Sequence, residues 1–224
     1  MINLKAEKCK RYIIFLVGLF INSLGVSIIT KADLGTSPIS SIPYVLSLNF
    51  KFTLGEFTIF FSLLLIVLQI IMLRKKFKAE QLLQIPISIL FGYFIDLTMI
   101  MLDFMNPESY VIKLVSLIIG CIVLGFGVYI EVLANVAMLP GESFVRAVTM
   151  TVKSADFGVT KVIFDVSMTV IAAALSFIFA KQLGGVREGT IIAAILVGFI
   201  AKLFGKALAP LKTKLFSKQE PKKA

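Results

Sequence analysis

The chain has 224 residues, 58% of them hydrophobic, with a net charge of +10 and a mean hydropathy of +0.96. A water-soluble domain of this size needs more charge to cover its surface, and here the charges are few and clustered, which excludes that class. Nucleic acid is excluded as a partner too, because Lys and Arg flank the apolar runs instead of forming one face.

Apolar runs of 17 to 21 residues, long enough to cross a hydrocarbon core of roughly 30 Å, recur six times. The first is Tyr12 to Thr30, behind Lys8, Lys10 and Arg11; the second is Phe57 to Leu73, closed by Arg74, Lys75, Lys76 and Lys78. The third is Leu82 to Leu102, broken by Gln84, Pro86 and Asp96, and the fourth runs from about Leu114 to Ile130. The fifth is Val162 to Ala180 with Asp165 inside, and the sixth is Thr190 to Leu208, where Lys202 and Lys206 can snorkel. The fold class expected is all-α, a polytopic membrane protein of about six transmembrane helices.

Two shorter segments fit neither spans nor loops. Thr36 to Phe50 is apolar but carries Pro38 and Pro43; Gly141 to Lys153 is amphipathic with Glu142 and Arg146. Each has a proline near its start, the position where proline suits a helix, and each reads as a short re-entrant or interfacial helix. If only the long runs cross and the N-terminus is cytoplasmic, 18 of the 23 Lys and Arg residues fall inside, as the positive-inside rule asks. The expected location is the plasma membrane, multi-pass, with both termini cytoplasmic. Cys9 and Cys121 are then on different levels and cannot pair, and the chain has no histidine, so no imidazole metal site exists.

The two halves resemble each other. A shift of 102 places Gly18 on Gly120, Gly25 on Gly127 and Pro38 on Pro140; a shift of 103 places Gly55 on Gly158; a shift of 106 places Gly92 on Gly198. Each half reads long run, short proline-led segment, long run, long run. Three spans per half is odd, so a duplication must be inverted, with the second repeat upside down in the membrane. The expected organisation is a cytoplasmic N-terminus at 1–11, a first repeat at 12–105, a second at 106–209, and a lysine-rich cytoplasmic tail at 210–224.

Leu34-Gly35-Thr36-Ser37-Pro38, followed by a short helix and then Leu54-Gly55 opening a long run, resembles the YczE/YyaS/YitT-like bacterial membrane proteins. Leu139-Pro140-Gly141 with Phe157-Gly158 repeats it weakly, and Gly184-Gly185 before Gly189-Thr190 is similar to that group's approach to its final span. The resemblance covers about 13 to 208 and implies a multi-span membrane protein.

An acid inside a bilayer is costly unless paired or hydrated, so the intramembrane carboxylates are candidates for chemistry. Asp165 has Lys161 one turn before it. Glu131, Asn135, Pro140, Glu142 and Arg146 would form a polar cluster around the inner short helix, with Arg146 a bidentate partner for carboxylate or phosphate. Ser37, Pro38, Ser40 and Ser41 would meet a polar solute if the first short helix dips into the membrane. Asp96 and Lys202 are expected to anchor at the surface, and Glu56 to favour a helix N-terminus. There is no phosphate-binding loop, zinc pattern or serine nucleophile elbow. No enzyme activity, cofactor or metal is therefore expected.

The function expected is a small transporter or facilitator for a small polar or anionic solute, with its site at the repeat interface. The alternative is an accessory or substrate-binding subunit of a larger complex. The partners expected are the lipid bilayer, the small-molecule solute and a second copy of the chain, the last from glycine-rich helix faces.

Overall fold

The structure is a computed structural model that describes residues 2–152, 156–181 and 184–209. The lysine-rich tail expected at 210–224 lies outside the described residues. Eight α-helices follow in order: α1 (Ile2–Lys31), α2 (Pro38–Asn49), α3 (Leu54–Leu73), α4 (Gln84–Met101), α5 (Tyr110–Ala134), α6 (Pro140–Thr151), α7 (Phe157–Ala180) and α8 (Glu188–Ala207). Short 3-10 turns at Arg74–Lys76 and Ala79–Leu83 join α3 to α4, and no strand occurs among the described residues.

Six of the helices, α1, α3, α4, α5, α7 and α8, are long and apolar enough to cross a membrane. They are helical because an apolar backbone without water must satisfy its own N–H and C=O groups. The helices overrun the apolar stretches at their ends: α5 starts at Tyr110, four residues before the run at Leu114, and takes Lys113 into its first turn. Local chemistry sets the starts. At α3, Thr53 Oγ1 accepts from Glu56 N at 3.1 Å and Glu56 Oε2 accepts from Thr53 N at 2.8 Å, a reciprocal capping box. At α7, Asp156 Oδ1 accepts from Val159 N at 3.1 Å. Proline occupies the first turn of both short helices, α2 and α6.

The bundle has two poles. One holds the ion pairs Lys31–Asp103, at 3.0 Å, and Lys113–Asp33. The other holds the basic stretch Arg74–Lys76 and the contact of Arg11 Nη1 with Ala134 O at 3.2 Å. The centre is the crossing of α1 and α5, where glycines bring backbones together. A Cβ on Gly25 would lie 2.5 Å from Leu124 Cα, and one on Gly127 would lie 2.5 Å from Asn22 N. Gly18 and Gly120 serve the same crossing, and Gly125 packs on Ile200 of α8. The five glycines of α1 and α5 are thus packed within the chain.

Around this crossing α4 packs on α1 and α8 on α5, while α2 packs on α7 and α6 on α3. The first turn of α2 touches the middle of α7, where Ser41 Oγ donates to Met168 O at 3.4 Å. Its far end reaches the end of α7, where the rings of Phe50 and Phe179 meet at 5.2 Å. The linker before α2 is clamped onto the start of α8: Gly189 N donates to Leu34 O at 2.8 Å and Thr36 N to Thr190 Oγ1 at 3.2 Å. Gly35 has φ +112° here, with Thr190 Oγ1 filling the space a Cβ would need, so only glycine suits the position.

α3 and α4 are locked at the Lys31 pole. Asp96 of α4 accepts from Thr53 Oγ1 at 2.7 Å and from Gly55 N at 2.8 Å, and Gly55 and Gly92 bring the two backbones into contact. Asp96 thus ties two helices together instead of anchoring at the surface. α7 and α8 make no comparable contact: a Cβ on Gly198 would meet nothing within 4 Å, and Lys202 is exposed.

Candidate functional site

The first turns of α2 and α6 abut at the centre of the bundle, with Ile39 against Gly141. A cavity of about 360 Å³ lies at this junction, walled by α1, α3, α5, α7 and α8. Neither Ser37 nor Leu139, the N-cap residues, makes a side-chain bond to the first-turn amides. The first turns of both helices line the cavity, and each helix turns the positive end of its dipole toward that one space.

Ser37, Pro38, Ser40, Pro140, Glu142 and Asp165 all line this cavity. Ser37 Oγ donates to Ser40 Oγ at 2.9 Å, and both residues are buried. Asp165 Oδ1 accepts from Lys161 Nζ at 2.6 Å, and Lys161 also lies 5.9 Å from the centre of the Phe164 ring. Glu142, which is outside the six spans, faces this pair. Burial pushes its carboxyl above the usual range, Lys161 opposes that rise, and Asp165 adds to it.

The other expected site residues are elsewhere. Ser41 bonds to Pro38 O and Met168 O, which ties α2 to α7. Glu131 is buried behind the wall, where its Oε1 accepts from Asn22 Nδ2 at 2.8 Å. Asn135 ends α5 with φ 50° and lines a separate cleft at the Arg74 pole together with Arg146. The polar cluster expected around α6 is thus split in two. Glu142 in the first turn of α6 faces the cavity, and Arg146, one turn later, faces the cleft.

Three polar wall residues were not singled out from the sequence. Asn22, Thr58 and Ser62 are all buried and line the cavity. Single polar residues in an apolar run look like packing, and only Ser62, four positions from Thr58 on one helical face, gave a signal. Beside the cavity an apolar groove of about 700 Å³ runs between α3 and α7, floored by Ile42 and Leu46 of α2 and Phe144 and Val148 of α6.

Among known proteins, a family model described as "Family of unknown function (DUF6198)" matches residues 9–206. "Uncharacterized membrane protein YczE" of Bacillus subtilis (strain 168) is 28% identical over 203 residues, covering 89% of this chain and 87% of that protein. "Uncharacterized protein YyaS" of the same organism is 26% identical over 195 residues, covering 87% and 92%. No solved structure matches the chain. The resemblance carried by Leu34 to Pro38 therefore extends over most of the sequence. With six apolar helices inside the matched region, the chain is a multi-span membrane protein and belongs to the DUF6198 family of unknown function.

Proposed function

We propose that this protein is a small transporter or facilitator that passes a small polar or anionic solute through the cavity at the α2–α6 junction. The observation that carries the reading is the meeting of two helix N-termini over one cavity whose wall holds Thr58, Ser62, Glu142, Lys161 and Asp165. Converging positive helix ends favour a negatively charged or strongly hydrogen-bonding group without fixing a full charge in the membrane.

The same reading takes the chain as two inverted repeats, α1–α4 and α5–α8, with α2 and α6 re-entrant. The wall residues support it, because they come in pairs at the shifts seen in the sequence: Asn22 with Leu124, Pro38 with Pro140, Ser40 with Glu142, Thr58 with Lys161 and Ser62 with Asp165. The groove does the same, with Phe57 opposite Thr160, Phe61 opposite Phe164 and Leu65 opposite Met168. Helix contacts are paired as well, α1–α4 with α5–α8 and α2–α7 with α3–α6. Cavity and groove would both lie on a pseudo-two-fold axis in the membrane plane, the arrangement that lets two repeats exchange conformations around one site. With the Arg74 pole in the cytoplasm of a cell membrane, the basic residues obey the positive-inside rule.

The test is a thermal-shift screen of the purified protein against small anions and polar metabolites, followed by uptake of each hit into proteoliposomes. Uptake above protein-free liposomes that falls in Asp165→Asn and Ser62→Ala is expected. Hits that bind but enter no faster than into protein-free liposomes would overturn the transport reading.

A further inference from the structure

The cleft that holds Arg146 is separate from the central cavity and has a composition of its own. It measures about 330 Å³ and lies at the Arg74 pole, where three parts of the chain converge: the turn and loop after α3, the turn after α5, and α6. Lys76, Lys78 and Arg146 supply three cations, and Glu80 the single acid. Among the described residues none of the three cations forms an ion pair, with Glu80 or any other carboxylate. The polar contact Arg146 makes is a long one, Nη1 to Met138 Sδ at 3.8 Å. The amide and hydroxyl side chains of Gln81, Asn135 and Ser143 complete the wall.

Unpaired cations held in one concave space repel each other, and an anion removes that repulsion. Guanidinium binds the oxygens of a tetrahedral or planar oxyanion in pairs, while lysines add point charge and adapt to its position. The cleft is at the end of the spans, at the depth of lipid headgroups, so a phosphate would reach it without crossing hydrocarbon. It also touches the central site indirectly. Gln84 in its wall exchanges amide hydrogen bonds with Gln69 at 3.3 Å, and Gln69 Nε2 donates to Pro140 O at 3.2 Å, in the first turn of α6.

We propose that this cleft is a phosphate-binding site, in which Arg146, Lys76 and Lys78 hold the phosphate group of an anionic lipid or of a soluble phosphate compound at the membrane boundary. The site does not depend on the transport reading and stands if that reading falls.

The experiment uses the full-length protein, delipidated in detergent and checked for residual phosphorus. Inorganic phosphate is titrated against chloride at constant ionic strength, and phosphatidylglycerol against phosphatidylcholine in mixed micelles, with the thermal midpoint as readout. A rise with inorganic phosphate identifies a soluble anion as sufficient; a rise with phosphatidylglycerol alone identifies the headgroup. In either case Arg146→Ala is expected to weaken the apparent affinity about tenfold, the loss of one charge-assisted contact. Lys75→Gln, in the same turn but outside the cleft, should match the wild type. If Arg146→Ala does not fold, the double variant Lys76→Gln, Lys78→Gln, at two exposed positions, takes its place. No rise with either probe, or a rise unchanged in the cleft variants, overturns the proposal.

Discussion

If the two halves exchange conformations, the lock between α3 and α4 holds one of two alternatives, and cutting it should release the other. Asp96→Ala is the perturbation. It removes the acceptors of Thr53 Oγ1, at 2.7 Å, and of Gly55 N, at 2.8 Å. A hydrogen bond to a charged group contributes about 1.5–3 kcal/mol when shielded, but interhelical bonds in membranes average nearer ~0.6 kcal/mol. Thr53 is exposed, so the pair together contributes roughly 1–3 kcal/mol, a shift of about 5- to 150-fold between the two arrangements. The equivalent positions in the other half are Asp156 for Thr53 and Lys202 for Asp96, opposite charges that would pair once α7 closed on α8. Spin labels report both ends: Phe52 with Ile100 for α3–α4, and Val159 with Leu203 for α7–α8, all exposed. They are introduced after replacing Cys9 and Cys121, the two free cysteines. Asp96→Ala should lengthen the first distance and shorten the second in the same molecules, and Lys202→Ala added to it should abolish the shortening. A longer α3–α4 distance with an unchanged α7–α8 distance would refute the exchange, because the lock would then be only local structure.

Other substitutions probe packing and the polar ties. Gly25→Val puts a side chain against the Leu124 backbone at the α1–α5 crossing; it should cost about 1–3 kcal/mol or more by overpacking, seen as a lower thermal midpoint, while Gly198→Ala should be close to neutral. Gln69→Leu leaves the buried Gln84 side-chain amide without its partner and should cost about 1–3 kcal/mol in the same assay. Glu131→Gln keeps an acceptor for Asn22 and should retain stability, whereas Glu131→Leu should lower it, because the Asn22 amide is then buried without its partner.

The spans were legible because charge is expensive in hydrocarbon, so Arg74 to Lys78 and the other clusters mark where helices must end. Their starts were less legible, since a helix extends past the apolar core wherever a cap such as Thr53 or Asp156 supports it. Pro38 and Pro140 revealed the two short helices, because proline fits a first turn and little else in a helix. Six of the ten candidate residues reach one cavity. Arg146 and Asn135 do not, and sequence adjacency has no way to separate them from Glu142: the split depends on where α6 meets the turn after α3. Asp96 also escaped, since nothing near it in sequence announces that Gly55, 41 positions earlier, brings an unsatisfied amide to it.

The paired walls are not equal, and the inequality bears on how the cavity works. Where α3 offers Thr58 and Ser62, α7 offers Lys161 and Asp165; where α2 offers Ser40, α6 offers Glu142. One half presents hydroxyls, whose hydrogen bonds can turn toward a donor or an acceptor, and the other presents an ion pair and a carboxyl. On the proposed reading, two duplicated halves would need to pack alike, which accounts for the paired glycines and prolines, while a solute would need only one charged wall. A second ion pair at Thr58 and Ser62 would add the desolvation cost of two more buried charges, several kcal/mol each unless well compensated. Charge on one half only therefore leaves the cavity polar at lower cost, and it makes the two directions of approach chemically different. If the protein passes a solute as proposed, one arriving from the Arg74 pole would meet the ion pair and carboxyl of α7 and α6, and one arriving from the Lys31 pole the hydroxyls of α3.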